Sequence, residues 1–240
     1  MKKALCLLAA WLIATPLLFS QTSNSLTPKE KKEGWILLFD GLNTSQWKGA
    51  NDLPFSSSGW EVKNGMLGLK PIPGSTKYVD IITQKEYSDF DLMVDFKTTV
   101  GANSGIKYFY TKYEKGRYLG FEYQVLDDNV NEDATKGHDG NRKTGSFYDM
   151  LPASPDKKLN PVGEWNTARI ISKGKHIEHW LNGVKILEFD RGSKEFMDAL
   201  KRSKFKTTVP VFGEVPKGNI LLQYHGSEVW FRNIKLRIPK

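Results

Sequence analysis

The sequence predicts an all-β protein, a two-sheet antiparallel sandwich or jelly roll with one short helix, and three observations predict it. First, Phe90, Leu92, Val94 and Phe96 alternate strictly with Asp91, Met93, Asp95 and Lys97. That is the two-residue period of a strand with one buried face. Second, Asn64-Gly65 and Asn182-Gly183 each separate two short apolar runs, the signature of a tight hairpin. Third, short β-like runs recur along the whole chain with no fixed repeat, and only one segment has a helical period.

Composition sets the frame. The chain has 240 residues, 39% hydrophobic and 12% aromatic, enough to bury one substantial core. Lys2 and Lys3 precede an apolar run from Ala4 to Phe19, and a polar segment follows from about Ser20. This predicts a secretory signal over residues 1–20, a flexible segment over 21–33, and a single sandwich domain over 34–240. Pro16 interrupts the apolar run and no basic stop-transfer cluster follows it, so no stable membrane insertion is expected once the leader is removed. The expected location is secreted or periplasmic. Cys6 is the only cysteine and lies inside the leader, so disulfides, thiolate catalysis and cysteine–metal sites are excluded from the mature chain. The net charge is +8, but the lysines are dispersed and no recognition-helix or RNA-binding signature accompanies them. No nucleic-acid partner is expected.

The elements follow in order. Gly34 to Gly41 is a short apolar run between glycines and reads as a buried strand. Trp60–Val62, Met66–Leu69 and Tyr78–Thr83 follow, then the alternating segment at 90–97. Ile106–Tyr110 and Gly120–Leu126 read as the next two strands, and a long polar stretch runs from Asp127 to Lys143. Loops of that length in compact domains tend to be functional or disordered. A strand is expected through Gly145–Tyr148, before a proline-rich connection from Pro152 to Pro161. Trp165–Ser172, His176–Leu181 and Val184–Phe189 read as strands, and Ser193 caps a helix over Lys194–Lys201. Ile220–Gly226 and Val229–Ile238 close the sheets.

The most informative strand is 120–126. Phe121, Tyr123 and Val125 face one way and suit a core; Glu122 and Gln124 face the other. Their side is either the floor of a groove or merely a wet outer face. Asn103, Arg142, Tyr148, Gln223 and His225 are the other polar residues on or beside strands. Taken singly, each also has an ordinary structural explanation, as a turn residue, an ion-pair partner or a core aromatic with a satisfied hydroxyl. His176 and His179 are three apart, on opposite faces of a strand, which argues against shared metal ligation. No phosphate-cradling glycine loop and no nucleophile elbow is present, so neither a metal nor a cofactor is expected.

Six phrases carry a resemblance. They are Gly34-Trp35-Ile36-Leu37-Leu38-Phe39-Asp40-Gly41, Asn103-Ser104-Gly105-Ile106, Gly120 through Asp127, Gly163-Glu164-Trp165-Asn166, His179-Trp180-Leu181-Asn182-Gly183 and Phe231-Arg232-Asn233-Ile234-Lys235. Together and in this order they resemble the 3-keto-disaccharide hydrolase domain family from about Gly34 onward. The resemblance implies a concanavalin A-like sandwich and a small-molecule carbohydrate substrate already oxidised to a ketone at sugar carbon 3. It also maps the family's polar positions onto Asn103, Glu122, Gln124, Asp127, Arg142, Tyr148 and His225. In one place the chain departs: many relatives carry an aspartate where Tyr224 precedes His225.

The residue types agree with that chemistry. A ketone acidifies the proton on the carbon between it and the anomeric centre, so a base can remove that proton and the aglycone can leave by elimination. The sequence offers Glu122 or His225 as base and Tyr148 and Arg142 as donors or acid, with Asn103, Gln124, Asp127 and Gln223 binding substrate. Two alternatives stand beside this: an ordinary glycosidase pairing Glu122 with Asp127 or Asp128, and a lectin-like module that binds without turnover.

Overall fold

The computed structural model describes residues 23–50, 52–69, 79–113, 118–206 and 212–239. The expected signal segment and Tyr78 lie outside them. Among the described residues, thirteen strands form two antiparallel sheets, one of eight strands and one of five. In chain order they are β1 (Ile36–Leu37), β2 (Trp47–Gly49), β3 (Glu61–Lys63), β4 (Met66–Leu69), β5 (Ile81–Tyr87), β6 (Phe90–Thr98) and β7 (Asn103–Lys112). The rest are β8 (Tyr118–Leu126), β9 (Asn166–Lys173), β10 (His176–Leu181), β11 (Val184–Asp190), β12 (Gly218–Leu222) and β13 (Val229–Arg237). The larger sheet runs β11-β10-β9-β6-β13-β4-β3 with β1 beside β13, and the smaller runs β2-β5-β12-β7-β8. The two-sheet antiparallel sandwich is therefore the fold.

The alternation at 90–97 does what its period requires. Phe90, Leu92, Val94 and Phe96 are all at most 1% exposed and belong to the core between the sheets. On the other face, Asp91 corrects the expectation of a solvated carboxylate. It is buried because Arg169 reaches it through Nε and Nη2, both at 2.7 Å, and Arg237 Nε reaches it at 2.9 Å. Paired guanidinium bonds of this kind satisfy a carboxylate that has lost its water. Both Asn-Gly hairpins form, with positive φ at Asn64, Gly65, Asn182 and Gly183, as tight two-residue turns need.

Other expectations change. Gly34 to Gly41 holds only the two-residue β1, with Ile36 47% exposed, because the chain turns through loop on either side. Gly145–Tyr148 is not a strand: Phe147 makes single bridges to Tyr123 and Leu151, so the segment folds over the edge of β8. The short β2 has no alternating signal and was not legible. Residues 23–33, expected to be flexible, carry helix α1 (Pro28–Lys32) with Thr27 and Glu30 forming a capping box. Asn24 donates to the Gly65 carbonyl at 2.7 Å and Glu30 pairs with Lys235, which ties the segment to the sandwich. The expected helix forms as α2 (Lys194–Arg202), capped by Ser193, with Phe196, Ala199 and Leu200 buried.

His179 lies in the core, opposite the exposed side that carries His176. Its Nδ1 bonds the Gly145 carbonyl at 2.8 Å, and its Nε2 lies 2.8 Å from the Tyr108 hydroxyl. A carbonyl only accepts, so Nδ1 carries the proton and Tyr108 donates to Nε2. Burial holds its pKa down at about 4, against the pull of the Gly145 bond. A folded-state value below the unfolded 6.5 means that the native state resists protonation that the unfolded chain accepts. Stability from this group is complete above about pH 6.5 and falls by about 3 kcal/mol as the pH drops to about 4. Titration of the His179 ring by NMR should show no protonation between pH 7 and 5. A midpoint near 6.5 would refute the buried neutral imidazole.

Candidate active site

The face of the smaller sheet turned away from the core between the sheets collects the polar residues. In the β7–β8 register Ile106 faces Tyr123 and Tyr108 faces Phe121, all buried in the core. The intervening pairs, Lys107 with Glu122 and Gly105 with Gln124, therefore share the opposite face. Glu122 is only 7% exposed, and Lys107 Nζ lies 3.4 Å from its Oε2. Gly105 makes room for the carboxylate, since a Cβ there would stand 2.5 Å from Glu122 Oε1. With its amide nitrogen turned toward acceptors, Gln124 donates to Glu122 Oε1 at 3.0 Å and to the Ser104 carbonyl at 2.9 Å.

Asp80, immediately before β5, joins this group from across the sheet. Its Oδ1 accepts from the Tyr224 amide at 2.7 Å. Burial raises its pKa; Lys107, the Tyr224 amide and His225 oppose the rise, and the Glu122 charge adds to it. Lys107 and Glu122 thus form a direct ion pair, and Asp80 feels both of them and His225 electrostatically. His225 itself is exposed. Gln223 Oε1 is buried with no protein donor among the described residues. Such an acceptor calls for a donor from water or a ligand.

A second cluster packs against β8. Tyr148 donates its amide to the Glu122 carbonyl at 3.0 Å and its hydroxyl to Asp133 Oδ2 at 2.8 Å. Burial, then the Asp133 bond and charge, push the Tyr148 pKa far above the usual phenol range, so it stays a donor. Arg142 bonds Asp133 through Nη1 at 2.8 Å and Asp149 through Nε at 2.7 Å. It therefore clamps two carboxylates rather than offering a free fork to substrate. Burial works to raise the Asp133 pKa, but bonds from Arg142 and Tyr148 bring it below the ordinary value. Asp149 also accepts the Lys204 amide at 2.7 Å, and Lys204 Nζ sits 4.1 Å from the Tyr148 ring centroid. Desolvation lowers the Lys204 pKa, with Glu122 and Asp149 opposing, although much of the side chain remains exposed.

The structure thus gathers Asn103, Glu122, Gln124 and Gln223 on or beside one sheet face, with His225 at its rim and Tyr148 and Arg142 flanking β8. Asp127 stands apart. Its carboxylate accepts from the amides of Gly101 and Asn129 at 3.0 Å and of Val130 at 3.3 Å, so it closes the turn after β8. Asp128 is likewise engaged, by the Thr144 amide at 2.7 Å and Lys157 at 2.8 Å. Asp80, Lys107, Asp133, Asp149 and Lys204 were not singled out from sequence. Lys107 was within reach, since Ile106 and Tyr108 as core residues put it on the Glu122 face. The others carry no local signal.

One group among the described residues has metal-ligand spacing: the side-chain donors of His176, Glu178 and Glu188 lie within 4.8 Å of one another. Lys185 sits among them, 2.7 Å from Glu188 and 3.5 Å from Glu178, so the group is an ion-pair network on the outer face.

Comparison with known proteins agrees with the sequence resemblance. A family model described as the 3-keto-alpha-glucoside-1,2-lyase-like domain matches residues 34–237. A 3-keto-disaccharide hydrolase of Bacteroides thetaiotaomicron is 33% identical over 230 residues, spanning 86% of this chain and 79% of that protein. Two crystal structures of proposed glycosyl hydrolases from Parabacteroides distasonis ATCC 8503 are also similar. One is 34% identical with a TM-score of 0.79, covering 91% of this chain and 100% of the other. The second is 32% identical with a TM-score of 0.64, covering 85% and 99%.

Proposed function

The chain belongs to the 3-keto-alpha-glucoside-1,2-lyase-like domain family, and from that premise we propose that it cleaves the glycosidic bond of glycosides carrying a ketone at sugar carbon 3. The single observation that supports this best is the Lys107–Glu122 ion pair on one sheet face, whose charges Asp80 feels together with that of His225. Proton abstraction needs a carboxylate or imidazole base, and the enolate that forms needs cationic or hydroxyl donors. Both are present on or beside one sheet face.

In this reading Glu122 or Asp80 removes the proton from carbon 2. The C–H electrons form the C1–C2 double bond through the enolate of the 3-ketone, and the C1–O bond breaks. The aglycone oxygen takes a proton from His225 or Tyr148. Addition of water across the double bond completes a net hydrolysis. Lys107 balances the charge beside Glu122, while Arg142 holds Asp133 and so aims the Tyr148 hydroxyl. Asn103, Gln124 and Gln223 meet sugar hydroxyls. Export belongs to the same proposal and is supported by the leader-like segment that begins with Lys2 and Lys3.

A second reading is favoured by one observation: Asp80 and Glu122 are two carboxylates near enough for Glu122 to raise the Asp80 pKa. A direct glycosidase also uses two carboxylates. Incubation with methyl 3-keto-glucoside and, in parallel, methyl glucoside separates the two. The proposal expects cleavage of the ketone substrate alone, with solvent deuterium entering carbon 2. Equal cleavage of both would favour direct hydrolysis and sink the elimination.

A further inference from the structure

A strained feature in β7 adds something to this sheet face. Phe109 has φ 52°, a conformation that a bulky residue adopts only when its surroundings compel it. The β7–β8 register shifts between Tyr108 and Thr111, so two successive side chains, Tyr108 and Phe109, both enter the core. Tyr110 is thereby carried to the Lys107–Glu122 face. Two glycines permit the bulge. A Cβ on Gly218 would stand 2.4 Å from the Phe109 carbonyl carbon, and one on Gly120 would stand 3.0 Å from Tyr110 Cα.

Tyr110 does not stand alone there. Its ring stacks on Tyr118 at 5.7 Å between centroids and an interplanar angle of 26°. Tyr118 is 45% exposed, which leaves ring surface open to solvent. Along β8 the order on this face is Tyr118, Gly120, Glu122, Gln124, so Tyr118 stands two side-chain repeats, about 13 Å along the strand, from Glu122, with Tyr110 beside the intervening Gly120. The phenol of Tyr110 also feels Asp80: burial first, then the Asp80 charge and Tyr118, push its pKa up to about 12. The pair therefore lies on the same sheet face as Glu122. The opposite end of that face, at Asn103, Gln124 and Gln223, is made of amides, which suit hydroxyl groups rather than an apolar ring face.

We infer that the Tyr110–Tyr118 pair is the platform for the leaving group and takes a ring with an apolar face, a second pyranose, so that substrate lies along β8 with its oxidised ring over Glu122 and Gln124 and its departing ring toward Tyr118. This rests on the proposed elimination on that face. Aromatic side chains offer a flat apolar body of the kind a pyranose C–H face covers. Strain in the Phe109 backbone then has a use, because without the bulge Tyr110 would point into the core.

The test compares two substrates on one enzyme. For wild type and Tyr118→Ala, kcat/KM is measured on a 3-keto-disaccharide and on methyl 3-keto-glucoside, whose leaving group is too small to reach the pair. Tyr118 is exposed, so its truncation leaves the core packed. Tyr118→Phe, which keeps the ring, serves as the rescue. The ratio of the two kcat/KM values should fall about 10–100-fold in Tyr118→Ala and recover in Tyr118→Phe. An unchanged ratio would overturn the platform, whether both substrates lose activity together or neither does. Wild-type cleavage of methyl 3-keto-glucoside upholds the elimination whichever way the tyrosine result falls. If wild type cleaves neither ketone substrate, the elimination reading fails and the platform fails with it.

Discussion

Glu122→Gln should lower turnover of a 3-keto-glucoside by about 10²–10⁴-fold, the usual loss when a general base is removed. The amide keeps the shape of the carboxylate and can still lie beside Lys107, so folding should be intact. KM should move far less than kcat, because the missing interaction belongs to the transition state. Asp80→Asn is the companion. Burial and the Glu122 charge raise the Asp80 pKa, so a step needing its carboxylate would fade on acidification at a higher pH than for an ordinary aspartate. If Asp80 is the base, Asp80→Asn should remove that acid limb from the kcat/KM profile, and Glu122→Gln should shift it downward by withdrawing a neighbouring charge. The two losses should not add, since the groups act on one proton. Normal turnover by both variants would end the proton-abstraction mechanism.

Arg142→Ala should be the most destabilising substitution near the site. Arg142, Asp133 and Asp149 have side chains only 18%, 16% and 5% exposed. Removing the guanidinium leaves two largely enclosed carboxylates without their cation, a loss of about 3–5 kcal/mol when such pairs are broken from one side. For a domain of this size that is about 6–20 °C in Tm. The pH dependence has a definite sign. The folded pKa of Asp133 is below its ordinary 3.8, so its contribution is present above about 3.8 and is lost as the pH falls through the lower folded value. The gap between Arg142→Ala and wild type should therefore be full at neutral pH and shrink in strong acid. Turnover should fall too, because Tyr148 loses the Asp133 acceptor geometry that aims its hydroxyl. A variant that melts like wild type would show that the clamp contributes nothing.

Much of the fold was legible because sheets and helices write their periods locally. The alternation at 90–97, the two Asn-Gly turns and the Ser193-capped helix all hold in the structure. Gly145–Tyr148 misled because Phe147 and Tyr148 look like strand residues, yet they fold over the edge of β8 and meet it through single bridges. Residues 23–33 misled in the opposite sense. A polar segment looks like a tether until Asn24 and Glu30 find partners distant in sequence, at Asn233 and Lys235.

By itself the sequence determined which side chains share a face. Glu122 and Gln124 had to oppose Phe121 and Tyr123, because a strand turns over at every residue. Which of the distant polar groups meet on that face is another matter. Asp80 feels the Glu122 charge only because β5, β12, β7 and β8 lie side by side in that order. Asp127, one residue beyond the same strand, spends its carboxylate on backbone amides instead. Tyr110 shares the Glu122 face rather than the core only because Phe109 bulges against two glycines. Local periodicity fixes direction, whereas proximity depends on strand order, register and bulges, which arise from packing the whole chain.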